Sequence, residues 1–167
     1  MNNQSINLET MTIASAGKLI QDQKISIERL TQATLEQVHV TEPKINAFIT
    51  VLANEAMQNA QMLDKEIAEG KYRGLLHGIP IGLKDIIDMK GVLTSNGSQF
   101  SHNTLAEKDA TVTSKLAENG AVIVGKLNLH EFAFGTSSVN PHYGPVKNPW
   151  NIKHVSGGSS GGSAAAI

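Results

Sequence analysis

The chain has 167 residues, of which 40% are hydrophobic and 17% charged, and its formal net charge is −1. This composition is typical of a globular protein and excludes a disordered chain. The small net charge argues against a dedicated nucleic-acid-binding module. Cysteine is absent, which excludes disulfides and thiolate catalysis.

Three helices are predicted in the N-terminal part. Residues 11–22 have the pattern of a short helix. Ser26 is placed to cap a second helix, which we expect to end before Pro43. Residues 47–52 form an apolar run that fits a strand and the start of a helix equally well. A third helix ends at Gly70, and the apolar residues at helical spacing along one face of it are Ala56, Ala60, Leu63 and Ile67.

A strand–helix–strand unit is predicted next. Residues 79–84 read as a buried strand, and residues 91–104 read as a loop. Asp109 is placed to cap a helix that Gly120 closes, and residues 121–125 form a second buried strand. This order is typical of a βαβ unit, so the chain is predicted to be an α/β protein with a mixed sheet covered by helices.

The C-terminal part is rich in turn-forming residues. Residues 135–156 are predicted to be loop-like because they contain two Asn-Pro pairs and a Gly-Pro pair. A Gly/Ser cluster at 157–163 then leads into Ala164–Ile167, which has the pattern of a buried helix. Because the chain stops inside this helix, we expect a fragment of a larger protein.

The Gly/Ser cluster has three interpretations. A flexible linker is the simplest, but the cluster is short and its flanks have the pattern of ordered chain. A phosphate-binding loop requires a Lys after the glycines, which is missing. A Gly-x-Ser-x-Gly nucleophile elbow matches at both Ser159 and Ser160. That motif needs a preceding strand and a later His, and residues 150–156 have a poor strand pattern.

Lys84 ends the first predicted strand. The ordinary interpretation is a lysine that reaches water and pairs with Asp85 or Asp88. The alternative is a desolvated lysine that loses its proton near neutral pH and acts as a base toward a serine hydroxyl.

Several segments, in this order and at this spacing, resemble one family. They are Gly78–Asp85, Asp109–Val112, Gly125–Asn128, Glu131–Gly135, Asn148–Trp150 and Gly157–Ala166. Together they look like the amidase signature family. The resemblance covers nearly the whole chain and is strongest over residues 74–167. It implies the amidase-signature α/β fold, of which only the N-terminal part is present: a helical segment over 1–70, then the first part of the core over 71–167.

The resemblance also implies a catalytic site with a Ser–cis-Ser–Lys triad. Lys84 falls on the catalytic lysine, and Ser159 falls on the bridging serine, whose preceding peptide bond is cis in the family. The nucleophilic serine and the oxyanion hole are implied to lie beyond Ile167, so the chain alone is expected to be inactive. Substrate contacts are implied at Gly135, Thr136 and Ser137, although an ordinary polar turn explains these three equally well.

The implied activity is hydrolysis of a carboxamide C–N bond through an acyl-enzyme. The alternatives are the glutaminase component of a glutamyl-tRNA amidotransferase and an inactive remnant. His130-Glu131-Phe132 favours a free-standing amidase. We expect no cofactor and no metal, and a cytoplasmic protein without direct nucleic-acid or membrane binding. Its implied partners are a small-molecule amide substrate and either a second copy of the chain or amidotransferase subunits.

Overall fold

A computed structural model of the chain describes residues 6–103 and 105–167. The chain divides into two compact units. The first comprises the chain up to Val38, Ala53–Ile81 and Leu116–Val124. The second comprises His39–Leu52, Gly82–Lys115 and Gly125–Ile167. In the described part of the chain, no helix combines the length and apolar composition needed to cross a bilayer. The predicted division near residue 70 stays a prediction.

The three predicted N-terminal helices are present as α1 (Ile13–Gln21), α2 (Ile27–Ile45) and α3 (Ala53–Ala68). The Ser26 hydroxyl accepts a hydrogen bond from the Arg29 amide at 3.1 Å, which confirms the predicted N-cap of α2. Gly70 adopts a φ of +77° just after α3, a conformation that glycine reaches without steric cost. The apolar face predicted for α3 is buried at Ala56, Ala60 and Leu63.

The predicted end of α2 before Pro43 was wrong, because the helix continues to Ile45. Proline lacks the amide hydrogen that would bond to His39, but this removes only one hydrogen bond in the last turn. The Glu42 carboxylate accepts hydrogen bonds from the Ala47 and Phe48 amides, at 3.0 and 2.9 Å. These bonds tie the end of the helix to the chain that follows and support the turn around the proline.

A mixed three-stranded sheet is formed by β1 (Phe48–Val51), β2 (Pro80–Lys84) and β3 (Val122–Leu127), in the order β1-β3-β2. The apolar run at 47–52 is therefore a strand, antiparallel to β3. Strands β2 and β3 run in the same direction, since the Val122 amide bonds to Ile79 and the Asp85 amide bonds to Leu127. The predicted βαβ unit is confirmed, with α4 (Thr111–Glu118) between its strands.

Asp109 does not cap α4, contrary to the prediction. The helix begins two residues later, at Thr111. The Asp109 carboxylate instead accepts a hydrogen bond from the Lys90 amide at 2.6 Å. The Asp109 side chain, which the local sequence predicted as a helix cap, therefore binds a residue of a distant segment instead.

The segment predicted to be loop-like contains two small antiparallel pairs. They are β4 (Val139–Asn140) with β5 (Gly144–Pro145), and β6 (Lys147–Asn148) with β7 (Asn151–Val155). All five residues of β7 are exposed. A strand with no buried face does not need alternating apolar residues, and this explains why its sequence pattern was poor. Two short 3-10 helices lie at Gln99–Ser101 and Glu131–Ala133.

The last helix, α5 (Gly161–Ala166), packs closely within the second unit. Its Ala165 shares a small core with Ala47 and Val146. A Cβ on Gly162 would collide with the backbone of Ala47 and Asn128, so only glycine fits at this approach. The helix begins three residues before the predicted Ala164 and fixes the end of the Gly/Ser cluster.

Candidate active site

Lys84 and Ser159 are in direct contact, although 75 residues separate them in the chain. Lys84 is the last residue of β2, and Ser159 lies in the loop between β7 and α5. The Lys84 ammonium Nζ donates a hydrogen bond to Ser159 Oγ at 2.7 Å. The peptide bond between Gly158 and Ser159 is cis, as the resemblance implies. The two residues singled out as catalytic candidates are thus brought together.

The backbone carbonyl of Ser159 is held by two hydrogen-bond donors. Its carbonyl accepts hydrogen bonds from the His130 amide at 3.0 Å and from the Ser138 hydroxyl at 3.3 Å. The same Ser138 hydroxyl accepts a bond from the Gly161 amide at 3.1 Å. Ser138 is fully buried, so it is a fixed point between the loop carrying Ser159 and the start of α5.

The glycines of the cluster are needed for close packing. A Cβ on Gly158 would lie 2.6 Å from Ser138 Oγ and 2.8 Å from the Ser138 amide nitrogen. A Cβ on Gly161 would collide with the Ser138 side chain as well. Van der Waals contact does not permit either approach, so the cluster is a packed loop and the interpretation as a flexible linker was wrong.

One argument against a nucleophile elbow was also wrong. Residues 151–155 form a strand, β7, directly before the cluster, so strand, turn and helix follow one another as that motif requires. The residue that bonds to Ser159 Oγ is nevertheless a lysine and not a histidine. This contact favours a serine–lysine arrangement at Ser159.

The ordinary interpretation expected Lys84 to pair with a nearby aspartate such as Asp85. The Asp85 carboxylate does not pair with Lys84. Asp85 lies in the turn after β2, and its carboxylate reaches Lys126 of β3 instead. Asp85 Oδ1 and Lys126 Nζ lie 3.0 Å apart, with 1% and 0% of the side chains exposed. Lys84 itself is half-buried, and this burial lowers its pKa because the charged ammonium loses hydration. A lowered pKa raises the fraction of neutral amine, which can accept a proton.

An open cleft lies beside Ser159. It is lined by Thr136, Ser156, Gly157, Gly158, Ser159, Ser160 and Ala164. Of the three residues implied to contact substrate, only Thr136 lines this cleft. Gly135 packs against the His130 ring, which a Cβ would overlap. The Ser137 hydroxyl lies 3.5 Å from His130 Nδ1 and accepts a bond from the Val139 amide at 3.3 Å.

Sequence reasoning missed Ser138 and Lys126. Lys126 had a signal, since it is a charged residue within a strand whose other residues are apolar or glycine. Ser138 had none, because its place depends on a left-handed φ of 51° and on contacts far along the chain. Glu131 pairs with His142 at 2.8 Å. Among the described residues, no group of three or more His, Cys, Asp or Glu side chains could hold a metal ion.

The fold and the site define an α/β protein with a lysine–serine pair at the edge of an open cleft. The family model described as Amidase matches residues 29–167. The chain belongs to the amidase family.

Three similar proteins illustrate this relationship. The GatA-type component of the glutamyl-tRNA(Gln) amidotransferase of Acaryochloris marina is 47% identical over 85% of this chain and 30% of its own length. A chain from a vestigial protein complex, solved to trace the origins of an s-triazine catabolic enzyme, matches with a TM-score of 0.91 and 34% identity over 94% of this chain and 35% of its own length. The peptide amidase of Stenotrophomonas maltophilia matches with a TM-score of 0.89 and 33% identity over 95% of this chain and 34% of its own length. The chain spans about a third of the length of these relatives.

Proposed function

We propose that the protein hydrolyses a carboxamide C–N bond through an acyl-enzyme, with Lys84 as the base and Ser159 as a proton relay. The observation that carries this proposal is the 2.7 Å hydrogen bond between Lys84 Nζ and Ser159 Oγ, made by a lysine whose burial lowers its pKa. The nucleophilic serine belongs, by resemblance, to the part of the protein beyond Ile167. We place this activity in the cytoplasm.

The relay moves one proton in each direction. When the nucleophilic hydroxyl attacks the amide carbonyl, its proton passes to Ser159 Oγ, and the Ser159 proton passes to neutral Lys84. A C–O bond forms and the carbonyl oxygen takes the negative charge. As the C–N bond breaks, the proton returns by the same route to the leaving nitrogen. Water then hydrolyses the ester, releasing the carboxylate and restoring the serine.

The substrate enters, in this proposal, at the cleft beside Ser159. Thr136 is the nearest of the implied substrate contacts, since it lines the cleft together with Ser159 and Ser160. The mostly small residues of this wall leave room for an acyl group close to the backbone. Gly135 and Ser137 do not line the cleft, and in this proposal they shape the turn that carries Thr136.

The decisive experiment compares Lys84→Ala with the wild-type full-length protein. The assay follows ammonia release from L-glutamine and from a simple aliphatic carboxamide. We expect kcat for the preferred substrate to fall by roughly 10³-fold or more, because general-base catalysis contributes about 10²–10⁴ and the relay is lost with it. Lys153→Ala, on the exposed strand β7, is the matched control and should leave kcat unchanged.

A fluorophosphonate probe tests the assignment of Ser159 in the same preparations. The full-length protein should be labelled at a serine beyond Ile167, and the 167-residue chain should stay unlabelled. Activity of Lys84→Ala at neutral pH, or labelling of Ser159 or Ser160, would refute the relay.

A second candidate is the glutaminase component of a glutamyl-tRNA(Gln) amidotransferase. It is favoured by the 47% identity to the Acaryochloris marina protein, which exceeds the identity to the peptide amidase. The site chemistry is the same in both candidates. They differ in substrate, so strong preference for glutamine in the ammonia-release assay supports the amidotransferase component, and preference for the aliphatic carboxamide supports a free-standing amidase. The amidotransferase component would also require the other subunits of that enzyme as partners.

A further inference from the structure

A buried ion pair lies directly beside the proposed base in the chain. Lys126 of β3 is completely buried, and its Nζ lies within 3.1 Å of three oxygens: Asp85 Oδ1, the Leu93 carbonyl and Thr94 Oγ1. Asp85 Oδ2 accepts two further bonds, from the Ser95 amide at 3.0 Å and from the Ser95 hydroxyl. A buried pair is retained only when such bonds satisfy both charges.

The acidic member of this pair is the residue directly after Lys84 in the chain. One peptide unit therefore links the Asp85 carboxylate to the backbone of the proposed base. A carboxylate near an ammonium favours the protonated form, which cannot act as a base. Lys126 carries the charge that cancels Asp85.

We infer that Lys126 is a positioning residue: by binding Asp85 it prevents the adjacent carboxylate from stabilising the Lys84 ammonium, and so keeps Lys84 able to accept a proton. This inference rests on the proposed role of Lys84 as the base. Other titratable side chains lie in the described segments that lead into and out of the site. They are Asp88 after β2, and His130 and Glu131 after β3, of which Glu131 is paired with His142.

The ion pair makes opposite predictions for its two members. Lys126→Met removes the cation that faces the Asp85 carboxylate and should raise the pKa of Lys84. Asp85→Asn leaves the Lys126 charge unpaired and should lower the pKa of Lys84. For an assumed separation of about 10 Å and an effective dielectric constant of about 20, one charge shifts a pKa by at most roughly one unit, and by less where water screens it. The double variant removes both charges and should titrate close to wild type.

The experiment measures Lys84 directly in the full-length protein. Competitive labelling of amines across a pH series, read by mass spectrometry of the peptide containing Lys84, gives the titration of this side chain without any substrate. The acid limb of kcat/KM against pH is then measured for the same four proteins. We expect both readouts to move up in Lys126→Met, down in Asp85→Asn, and back in the double variant. Lys126→Arg, which keeps the charge, should stay close to wild type.

Opposite shifts distinguish this role from a purely structural one, because both single variants break the same pair and both weaken the fold. A Lys84 titration that moves in the same direction in both variants, or in neither, overturns the inference. Where Lys126→Met does not fold, Asp85→Asn and the double variant still decide the sign. Failure of the proposed function is seen separately, as activity in Lys84→Ala whatever the titration of Lys84.

Discussion

Lys84 of β2 and Lys126 of the neighbouring strand β3 have opposite surroundings. Lys126 is fully buried and faces the Asp85 carboxylate at 3.0 Å. Lys84 is half-buried and faces a neutral hydroxyl, Ser159 Oγ, at 2.7 Å. The more deeply buried lysine therefore has a charged partner, while the one beside the cleft has a neutral partner.

This difference separates a lysine that supports structure from one suited to chemistry. A fully buried cation needs a carboxylate partner, because the attraction between the two charges offsets the lost hydration. A cation that loses hydration and gains only a hydroxyl is more easily deprotonated, and perturbed groups of this kind concentrate at functional sites. Substitutions at Lys126, Ser138 and Lys84 test this contrast. Their expected effect on the free energy of unfolding decreases in that order.

Replacing Lys126 should have the largest effect on stability. Lys126→Met leaves the buried Asp85 carboxylate without its cation, and breaking a buried pair from one side costs about 3–5 kcal/mol. Urea denaturation of the full-length protein measures this loss. Lys153→Met on exposed β7 is the matched control and should change the free energy of unfolding by less than about 0.5 kcal/mol. A loss below about 1 kcal/mol for Lys126→Met would mean that the pair is not important for the fold.

Replacing Ser138 should have an intermediate effect. Ser138→Ala removes the bond to the Ser159 carbonyl and leaves the Gly161 amide without its acceptor, at a cost of about 1–3 kcal/mol for a buried group. Because the loop then loses a fixed point, kcat should fall while KM changes little. Steady-state kinetics and urea denaturation of the same variant provide the two measurements.

Two further observations test the role of the Ser138 hydroxyl. Ser138→Thr keeps the hydroxyl but adds a methyl group close to Gly158, so partial recovery of stability is not expected. An unchanged kcat in Ser138→Ala would show that the His130 amide alone holds the Ser159 carbonyl in place.

Replacing Lys84 should have the smallest effect on stability. Lys84→Met removes a half-buried cation that lacks a carboxylate partner, so the free energy of unfolding should stay the same or rise by up to about 1 kcal/mol. Burial lowers the pKa of Lys84, so the unfolded state binds the proton more tightly than the folded state. The lysine therefore destabilises the fold fully below its folded pKa, and this effect disappears as pH rises toward the ordinary pKa of lysine.

The pH dependence provides the check at Lys84. Urea denaturation at several pH values should show the advantage of Lys84→Met at neutral pH and its decline in alkaline solution. A variant that is destabilised at neutral pH would mean that the bond to Ser159 contributes more than burial costs, and the contrast with Lys126 would then be lost.

The sequence predicted most regular elements because their signals are local. Apolar spacing and Gly70 located α3, and two apolar runs located β2 and β3. The errors occurred where particular side-chain contacts or strand pairing, and not apolar spacing, decided the outcome. Glu42 supports the turn after Pro43, Lys90 binds Asp109, and β7 exists only through its pairing with β6.

The candidate site was predictable only in part, and for a similar reason. Lys84 and Ser159 were identified because several short motifs occur in a characteristic order, and the structure brings the two side chains together. Their catalytic roles, and those of Gly135, Thr136 and Ser137, stay predictions. The Asp85–Lys126 pair was not found, since the residue next to Lys84 was the obvious local partner for it.

Helix faces, buried strands and the chemistry available at each position can be predicted from residues a few places apart in the chain. The contacts of Lys84 with Ser159 and of Asp85 with Lys126 depend on the complete fold, because they join residues far apart in the chain. Asp85 is the charge next to Lys84 in the sequence, but the charged group it contacts in space is Lys126 of the neighbouring strand. Contacts between distant segments therefore decide which lysine meets a carboxylate and which meets a hydroxyl, since residues next to each lysine in the chain do not supply these partners.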